Sequence, residues 1–349
     1  NATMKERDCF VVMPTGGGKS LTYMIPSCIS KGITLVVSPL LSLMQDQVSQ
    51  LNNRFNVRSE MLSRSLSRKE VNALYKEFLD EASTLRCVYV TPEKIAKNQR
   101  FRGLLQQMYE RDRLARIVID EVHCCSQWGH DFRPDYKKLG FLKQQFPSVP
   151  LMALTATAPK DVEIDVKKIL RMEDPLVFRS SFNRTNLHYE VREKPVSAKA
   201  LIDDIYKYIT EKFPTASGII YTFSKREANQ VKKDLITKGL LVETYHADMP
   251  DGDRTRVYQQ WTSNRIKIVV ATIAFGMGID KSDVRFIIHH SMAKSLTGYY
   301  QQSGRAGRDG KLSHCLVYYR PADIARLTSL ACKQQHGISK LYEMVKYCT

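Results

Sequence analysis

Short aliphatic and β-branched runs alternate along this chain with longer segments whose apolar positions recur every three or four residues. The runs Phe10–Met13, Thr34–Ser38, Cys87–Thr91, Ile117–Asp120 and Leu151–Thr155 predict buried strands. The segments Leu21–Ile29, Leu41–Leu51, Lys69–Leu79, Arg100–Arg111, Tyr136–Gln145 and Ala158–Leu170 predict helices between and after them. A second series follows the polar, aperiodic stretch Ser180–Thr185, with strands expected at Leu187–Val191, Gly218–Thr222, Val242–Tyr245, Ile268–Ala271, Phe286–His290 and Cys315–Tyr319. Strands alternating with helices build parallel βαβ units, which bind ligands at the carboxyl ends of their strands. The pattern therefore predicts an α/β protein with two parallel-sheet domains, 1–181 and 182–322. A helical segment, 323–349, belongs to neither sheet.

The strand ends carry the chemistry. Met13-Pro14-Thr15-Gly16-Gly17-Gly18-Lys19-Ser20 lies between a predicted strand and a predicted helix. Glycines there let backbone N–H groups curl around a polyphosphate, the lysine reaches the β/γ-phosphates, and the hydroxyl of Ser20 meets Mg²⁺. Met13 stands where the usual pattern has glycine. Asp120-Glu121-Val122-His123 follows the next such strand. Its first carboxylate can hold Mg²⁺ and its second can polarise a water, although two acids at a strand end can also simply cap a helix. Ala271–Asp280 leaves a strand with the glycines, Gly278 among them, that permit close backbone approach. Gln301–Asp309 places Arg305 and Arg308 three apart, on one face if helical. Such arginines either stabilise charge on a transferring phosphoryl group or form a surface ion-pair face.

Charge changes the picture. The chain has 53 Lys+Arg against 36 Asp+Glu, a net +17 over 349 residues. The excess is spread over both halves: 27 basic against 20 acidic up to Ser180, and 26 against 16 after it. A basic surface without a basic tail favours a phosphate backbone as partner. No apolar run approaches the roughly 18 residues of a membrane span, and no signal peptide opens the chain. The eight cysteines, at 9, 28, 87, 124, 125, 315, 332 and 348, form no C-x-x-C pair and suit free thiols in a reducing compartment. His123-Cys124-Cys125 has the wrong spacing for a tetrahedral metal site. His289-His290 reads as structural.

Ser126-Gln127-Trp128-Gly129-His130-Asp131-Phe132-Arg133-Pro134-Asp135-Tyr136 is aromatic at every fourth position from Trp128. Aromatics stack on unpaired bases and arginine pairs with phosphate. Period-four aromatics otherwise form the core stripe of a helix, which Gly129 and Pro134 interrupt here.

Together with Ser38–Gln47, Tyr89–Lys94 and Thr155-Ala156-Thr157, these segments resemble a superfamily 2 helicase, specifically the RecQ family of DNA helicases and most of all its short eukaryotic form. The resemblance runs almost the full chain, and Met13 is normal for it. It implies two tandem RecA-like domains with ATP in the cleft between them. Met13 to Ser20, Asp120, Glu121, Gly278, Asp280, Gln301, Arg305 and Arg308 would serve ATP, and Ser20 and Asp120 would place Mg²⁺. Lys19, Asp120, Glu121, Arg305 and Arg308 would carry catalysis. Ser38, Thr91, Lys94, Trp128, His130, Phe132, Arg133, Thr222, Ser224, His246 and Thr272 would contact DNA, single-stranded or partially duplex. It also implies 3′→5′ movement, genome maintenance in the nucleus, and an adenine-recognition motif upstream of Asn1, so that the N-terminus reads as trimmed. Cys348 matches the first cysteine of a zinc-binding subdomain whose other ligands would lie beyond Thr349, leaving Zn²⁺ to the longer protein. Two other readings share these motifs. An RNA helicase of the DEAD-box type lacks the Ser126–Tyr136 segment. A non-hydrolysing ATP-gated clamp has no need of Glu121 and Arg308.

Overall fold

The computed structural model describes residues 2–63, 66–127, 132–276, 279, 281–332 and 337–349. The chain divides into two compact units, Asn1–Phe182 and Asn183–Thr349.

The first unit is built on seven strands: β1 Cys9–Val12, β2 Ile33–Val37, β3 Ser59–Met61, β4 Cys87–Val90, β5 Leu114–Ile119, β6 Leu151–Thr155 and β7 Leu176–Arg179. They form one sheet in the order β3-β4-β2-β5-β6-β1-β7, and every pairing is parallel. β1, β2, β4 and β6 are buried at every residue. Hence they read as continuous apolar runs rather than as alternating ones. One face packs Phe10, Val12, Leu35, Val37, Val88, Ile117 and Ile119 against Phe101, Leu105 and Val166. The other packs Cys9, Val11, Val36, Tyr89, Val118 and Leu154 against Tyr23, Met44 and Leu51.

The second unit has six strands: β8 Leu187–Glu193, β9 Ser217–Tyr221, β10 Val242–Tyr245, β11 Ile268–Ala271, β12 Val284–His289 and β13 Ser313–Tyr319. Their order is β10-β11-β9-β12-β13-β8, again wholly parallel. The helices Ala322–Ala331 and Gly337–Cys348 follow β13. Leu327, Ala331, Leu341 and Met344 pack with Met292, Tyr299 and Val317, so this segment shares a core with the second unit.

Several elements of the first unit differ from the pattern-based expectation. β3 and β7 are additional edge strands. The helix expected over Tyr136–Gln145 is three short pieces, Pro134–Lys137, Lys138–Gly140 and Phe141–Gln145, the middle one a 3₁₀ turn. Tyr136, Leu139 and Leu142 are all fully buried. Their spacing of three matches the 3₁₀ period and puts them on one face.

Candidate active site and nucleic-acid interface

β1 ends at Val12, and the Met13 amide donates to the Thr155 carbonyl at 3.1 Å, which ties the start of the glycine loop to β6. The Gly17 amide closes a turn on the Pro14 carbonyl at 2.9 Å. Gly16 and Gly18 have φ of +81° and +88°, a region side-chain-bearing residues avoid. The loop thus keeps a glycine-lined concave backbone. It runs into the helix Leu21–Ile29, whose N-terminal amides add positive potential. Ser20 makes no side-chain cap on that helix. Its Oγ instead accepts from Gln47 Nε2 at 3.0 Å, and Gln47 Oε1 accepts from the Tyr23 hydroxyl at 3.0 Å. Gln47 comes from the helix Leu41–Arg54 and is buried. It is a functional side chain that sequence reasoning did not single out, because nothing in the pattern shows which residue would hold Ser20.

Asp120 sits at the tip of β5, its amide donating to the Val37 carbonyl at 2.9 Å. Burial, and next the Glu121 carboxylate, push its carboxyl up to about 6, while Lys19 pulls it down. Lys19 of the glycine loop therefore acts electrostatically on Asp120 before any ligand is considered. Glu121 has a left-handed backbone, φ +49°, and its amide donates to Asp120 Oδ1 at 2.9 Å. The turn aims the two carboxylates differently. Glu121 Oε2 lies 3.3 Å from His123 Nδ1, which lies 2.9 Å from Thr155 Oγ1. Thr155 Oγ1 in turn donates to the Thr157 carbonyl at 2.9 Å. The Thr155–Thr157 segment is so connected to the carboxylates through His123. A glycine loop turning at positive φ, a fixed hydroxyl and the buried Asp120 carboxyl raised beside Glu121 fit a nucleotide polyphosphate with Mg²⁺: the cation would relieve Asp120, held by it and Ser20.

In the second unit Gln301 lies in the last turn of the helix Leu296–Ser303, but Arg305 and Arg308 come after its end. Gly304 closes the helix and Gly307 turns with φ +58°, so the arginines do not share a helical face. Arg305 is buried and its Nη1 donates to the Gly276 carbonyl, bracing the turn 272–276 that follows β11. Arg308 is half-buried. Neighbouring Gln302 accepts from His289 Nε2 at 2.7 Å. Burial, offset in part by Gln302, holds His289 down to about 4, so the ring is neutral with its proton on Nε2. Gly278 and Asp280 lie outside the described residues.

The nucleic-acid candidates fare unevenly. Ser38 is fully buried, its hydroxyl without a hydrogen bond, which places it beneath the surface expected for it. Thr91 caps the helix Pro92–Lys97, accepting from the Lys94 amide at 3.3 Å. Lys94 is lowered by burial and by Arg100, with its ammonium 5.9 Å from the Tyr75 ring centroid. Thr222 is buried, Ser224 caps the helix Lys225–Thr237, and Thr272 Oγ1 accepts from the Ala274 amide at 3.4 Å. His246 keeps a buried Nδ1 without a hydrogen bond. Trp128 and His130 lie outside the described residues. Phe132 and Arg133 are half-buried, and Arg133 Nη1 donates to the Pro39 carbonyl at 3.1 Å. Tyr136 is core: fully buried, with its hydroxyl donating to the Asp120 carbonyl at 2.8 Å. Of the aromatic period's described members, Tyr136 is thus core and Phe132 is partly exposed.

Cys348 ends the last helix half-buried, where burial pushes its thiol up to about 11. Among the described residues no cluster of three or more His, Cys, Asp or Glu side chains could hold a metal. No described helix is long and apolar enough to cross a membrane.

Comparison with known proteins agrees with this geometry. Residues 1–164 match the DEAD/DEAH box helicase family and residues 200–310 match the helicase conserved C-terminal domain. The chain is 52% identical over 348 residues to ATP-dependent DNA helicase Q1 of Rattus norvegicus, covering all of this chain and 56% of that protein. It is 47% identical over 349 residues to ATP-dependent DNA helicase Q-like 2 of Arabidopsis thaliana, covering all of this chain and 49% of that one. It therefore spans about half the length of these relatives. Among solved structures, the helicase MrfA bound to DNA shares the fold at a TM-score of 0.74 and 18% identity, over 95% of this chain and 47% of that one. Both domains are RecA-like folds in tandem, and with 46–52% identity to RecQ-like relatives along the whole of this chain, the chain belongs to the RecQ family of helicases.

Proposed function

We propose that this chain is the motor of an ATP-dependent DNA helicase that couples ATP hydrolysis to movement along single-stranded DNA. The observation that carries this reading is the buried Asp120 at the tip of β5, within the field of Lys19, followed by Glu121, which is tied through His123 to Thr155. Thr15 to Gly18 cradle the polyphosphate with backbone amides, and Lys19 offsets its β/γ charge. Ser20 and Asp120 would hold Mg²⁺, which would supply positive charge to offset that of the phosphate oxygens. Glu121 takes the proton of the attacking water, and His123, 3.3 Å away, fixes its orientation. Arg308 from the second domain stabilises the transferring phosphoryl group. Arg305, directed to Gly276, keeps the end of the turn 272–276 in place.

Movement is 3′→5′ and the setting is DNA repair, recombination or replication in the nucleus; the family resemblance supports both. Partially duplex DNA is the working substrate. In a longer protein Cys348 would be one ligand of a zinc site, as the family resemblance implies. The relatives' printed names, which call them DNA helicases, favour DNA over RNA.

The test is the ATPase rate with no nucleic acid, with single-stranded DNA and with RNA of equal length. Stimulation by DNA several-fold above RNA is expected. Equal or greater stimulation by RNA would establish an RNA helicase, and ATP binding without phosphate release would establish a clamp.

A further inference from the structure

Arg184 is the second residue of the second unit, in a stretch that sequence periodicity leaves blank. Its guanidinium is committed to one loop. Nη1 donates to the Gly304 carbonyl at 3.4 Å, and Nη2 to those of Ala306 at 3.0 Å and Gly307 at 2.7 Å. Nε donates to Asn186 Oδ1 at 3.2 Å. That contact orients the Asn186 amide, whose Nδ2 donates to the Gly307 and Lys311 carbonyls at 2.9 Å each. Four carbonyls flanking Arg305 and Arg308 are thus gathered by two side chains that follow the domain boundary. The clamp leaves no room at its centre. A Cβ on Gly307 would meet Asn186 Nδ2 at 2.5 Å and Ser313 Oγ at 2.8 Å, at a backbone φ of +58°. The planar fork of the guanidinium fixes the angle between the acceptors.

We infer that Arg184, oriented with Asn186, is a positioning residue for the arginine loop: it sets where Arg308 stands in the transition state without touching nucleotide itself. The inference rests on the reading of Arg308 as the finger. Because the clamp begins one residue past the boundary, any change in backbone direction there moves the Gly304–Gly307 carbonyls with it. Displacing a catalytic group by about 1 Å costs up to roughly 10²-fold in rate.

The experiment compares Arg184→Ala, Arg184→Lys, Arg308→Ala and the Arg184→Ala/Arg308→Ala double variant in the full chain. Measured are kcat and KM for DNA-stimulated ATP hydrolysis, affinity for AMP-PNP against ADP with aluminium fluoride, and the thermal melt. The expected result for Arg184→Ala is a fall in kcat of roughly 10–100-fold, KM within about twofold, and affinity lost for the fluoride complex but kept for AMP-PNP. Arg184→Lys, which keeps charge but not the fork, lies between. The double variant should be no slower than Arg308→Ala alone, because both act through one group. An Arg184→Ala that keeps wild-type kcat while Arg308→Ala is inactive overturns the inference and leaves the finger in place. An Arg308→Ala that keeps full turnover removes the finger reading itself. If Arg184→Ala melts early, Arg184→Lys decides. Equal loss of affinity for both nucleotides in that folded variant means Arg184 serves the fold alone, and overturns the inference.

Discussion

Replacing Tyr136 by Phe removes a single oxygen from a fully buried ring, and that oxygen donates at 2.8 Å to the carbonyl of Asp120. The ring, its packing with Leu139 and Leu142, and both acidic side chains remain. Phe is smaller only by the hydroxyl, so cavity formation is minor. What is lost is one hydrogen bond, and a buried carbonyl keeps one partner fewer. The expected cost is about 1–2 kcal/mol. For a folding unit of this size each kcal/mol lowers Tm by about 2–4 °C, so the melt should drop by roughly 2–8 °C. Calorimetry on the whole chain separates the units, since the transition raised by a non-hydrolysable ATP analogue belongs to the phosphate-loop unit. ATP turnover should fall by less than about tenfold, because the carbonyl positions Asp120 while the carboxylate itself is intact. A melt unchanged within about 1 °C would show that the bond does not hold the end of β5. A loss of several kcal/mol would show that the hydroxyl anchors far more than one carbonyl. Either result breaks the link between the aromatic segment and the carboxylate strand.

Other variants test the remaining roles. Lys19→Ala should abolish hydrolysis with the circular dichroism spectrum unchanged, since the polyphosphate loses its point charge; residual ATPase above about a tenth of wild type would refute the assignment. Glu121→Gln should bind ATP and DNA yet turn over slowly, accumulating the ATP complex, because an amide cannot take the water's proton; a titration in which binding vanishes together with turnover would make Glu121 structural. Phe132→Ala with Arg133→Ala should preserve basal ATPase while DNA stimulation falls, as expected of a segment that reports DNA through Pro39 and the Asp120–His123 turn. Parallel loss of basal rate and melting temperature would return these residues to the core.

The sheet was legible where strands are buried on both faces. Runs such as Val-Val before Met13 or Ile-Val-Ile before Asp120 have few other ways to be satisfied. β3 was not legible because Ser-Glu-Met is three polar-to-mixed residues on an edge, carrying no period. β7, Leu176–Arg179, is largely exposed and reads as loop, although it covers β1 in parallel register. The phosphate loop and the acidic pair were visible because their chemistry demands fixed residue types at adjacent positions. The second layer was not. Gln47 on Ser20, Tyr136 on the Asp120 carbonyl and Arg184 on the Gly304–Gly307 carbonyls join residues 16 to 123 positions apart through ordinary hydrogen bonds. No local pattern encodes such partners. The aromatic period shows the same limit: it marked Tyr136 correctly as notable but not which side of the surface it occupies.

The strand that carries the phosphate loop has consequences for how the chain is made. β1 pairs only with β6 and β7: Cys9 aligns with Met152 on one side and Leu176 on the other. During synthesis β1 leaves the ribosome well over a hundred residues before either of its neighbours. Such non-local parallel pairing is slow and leaves apolar surface uncovered meanwhile. Cys-Phe-Val-Val is therefore a nascent segment with no native shelter for most of the domain's translation. The nucleotide-binding loop is completed late, when the last strands of the first domain dock around it. Chaperone demand and sensitivity to translation speed should concentrate on this interval, and truncations ending before about Arg179 should yield chains that neither bind ATP nor stay soluble.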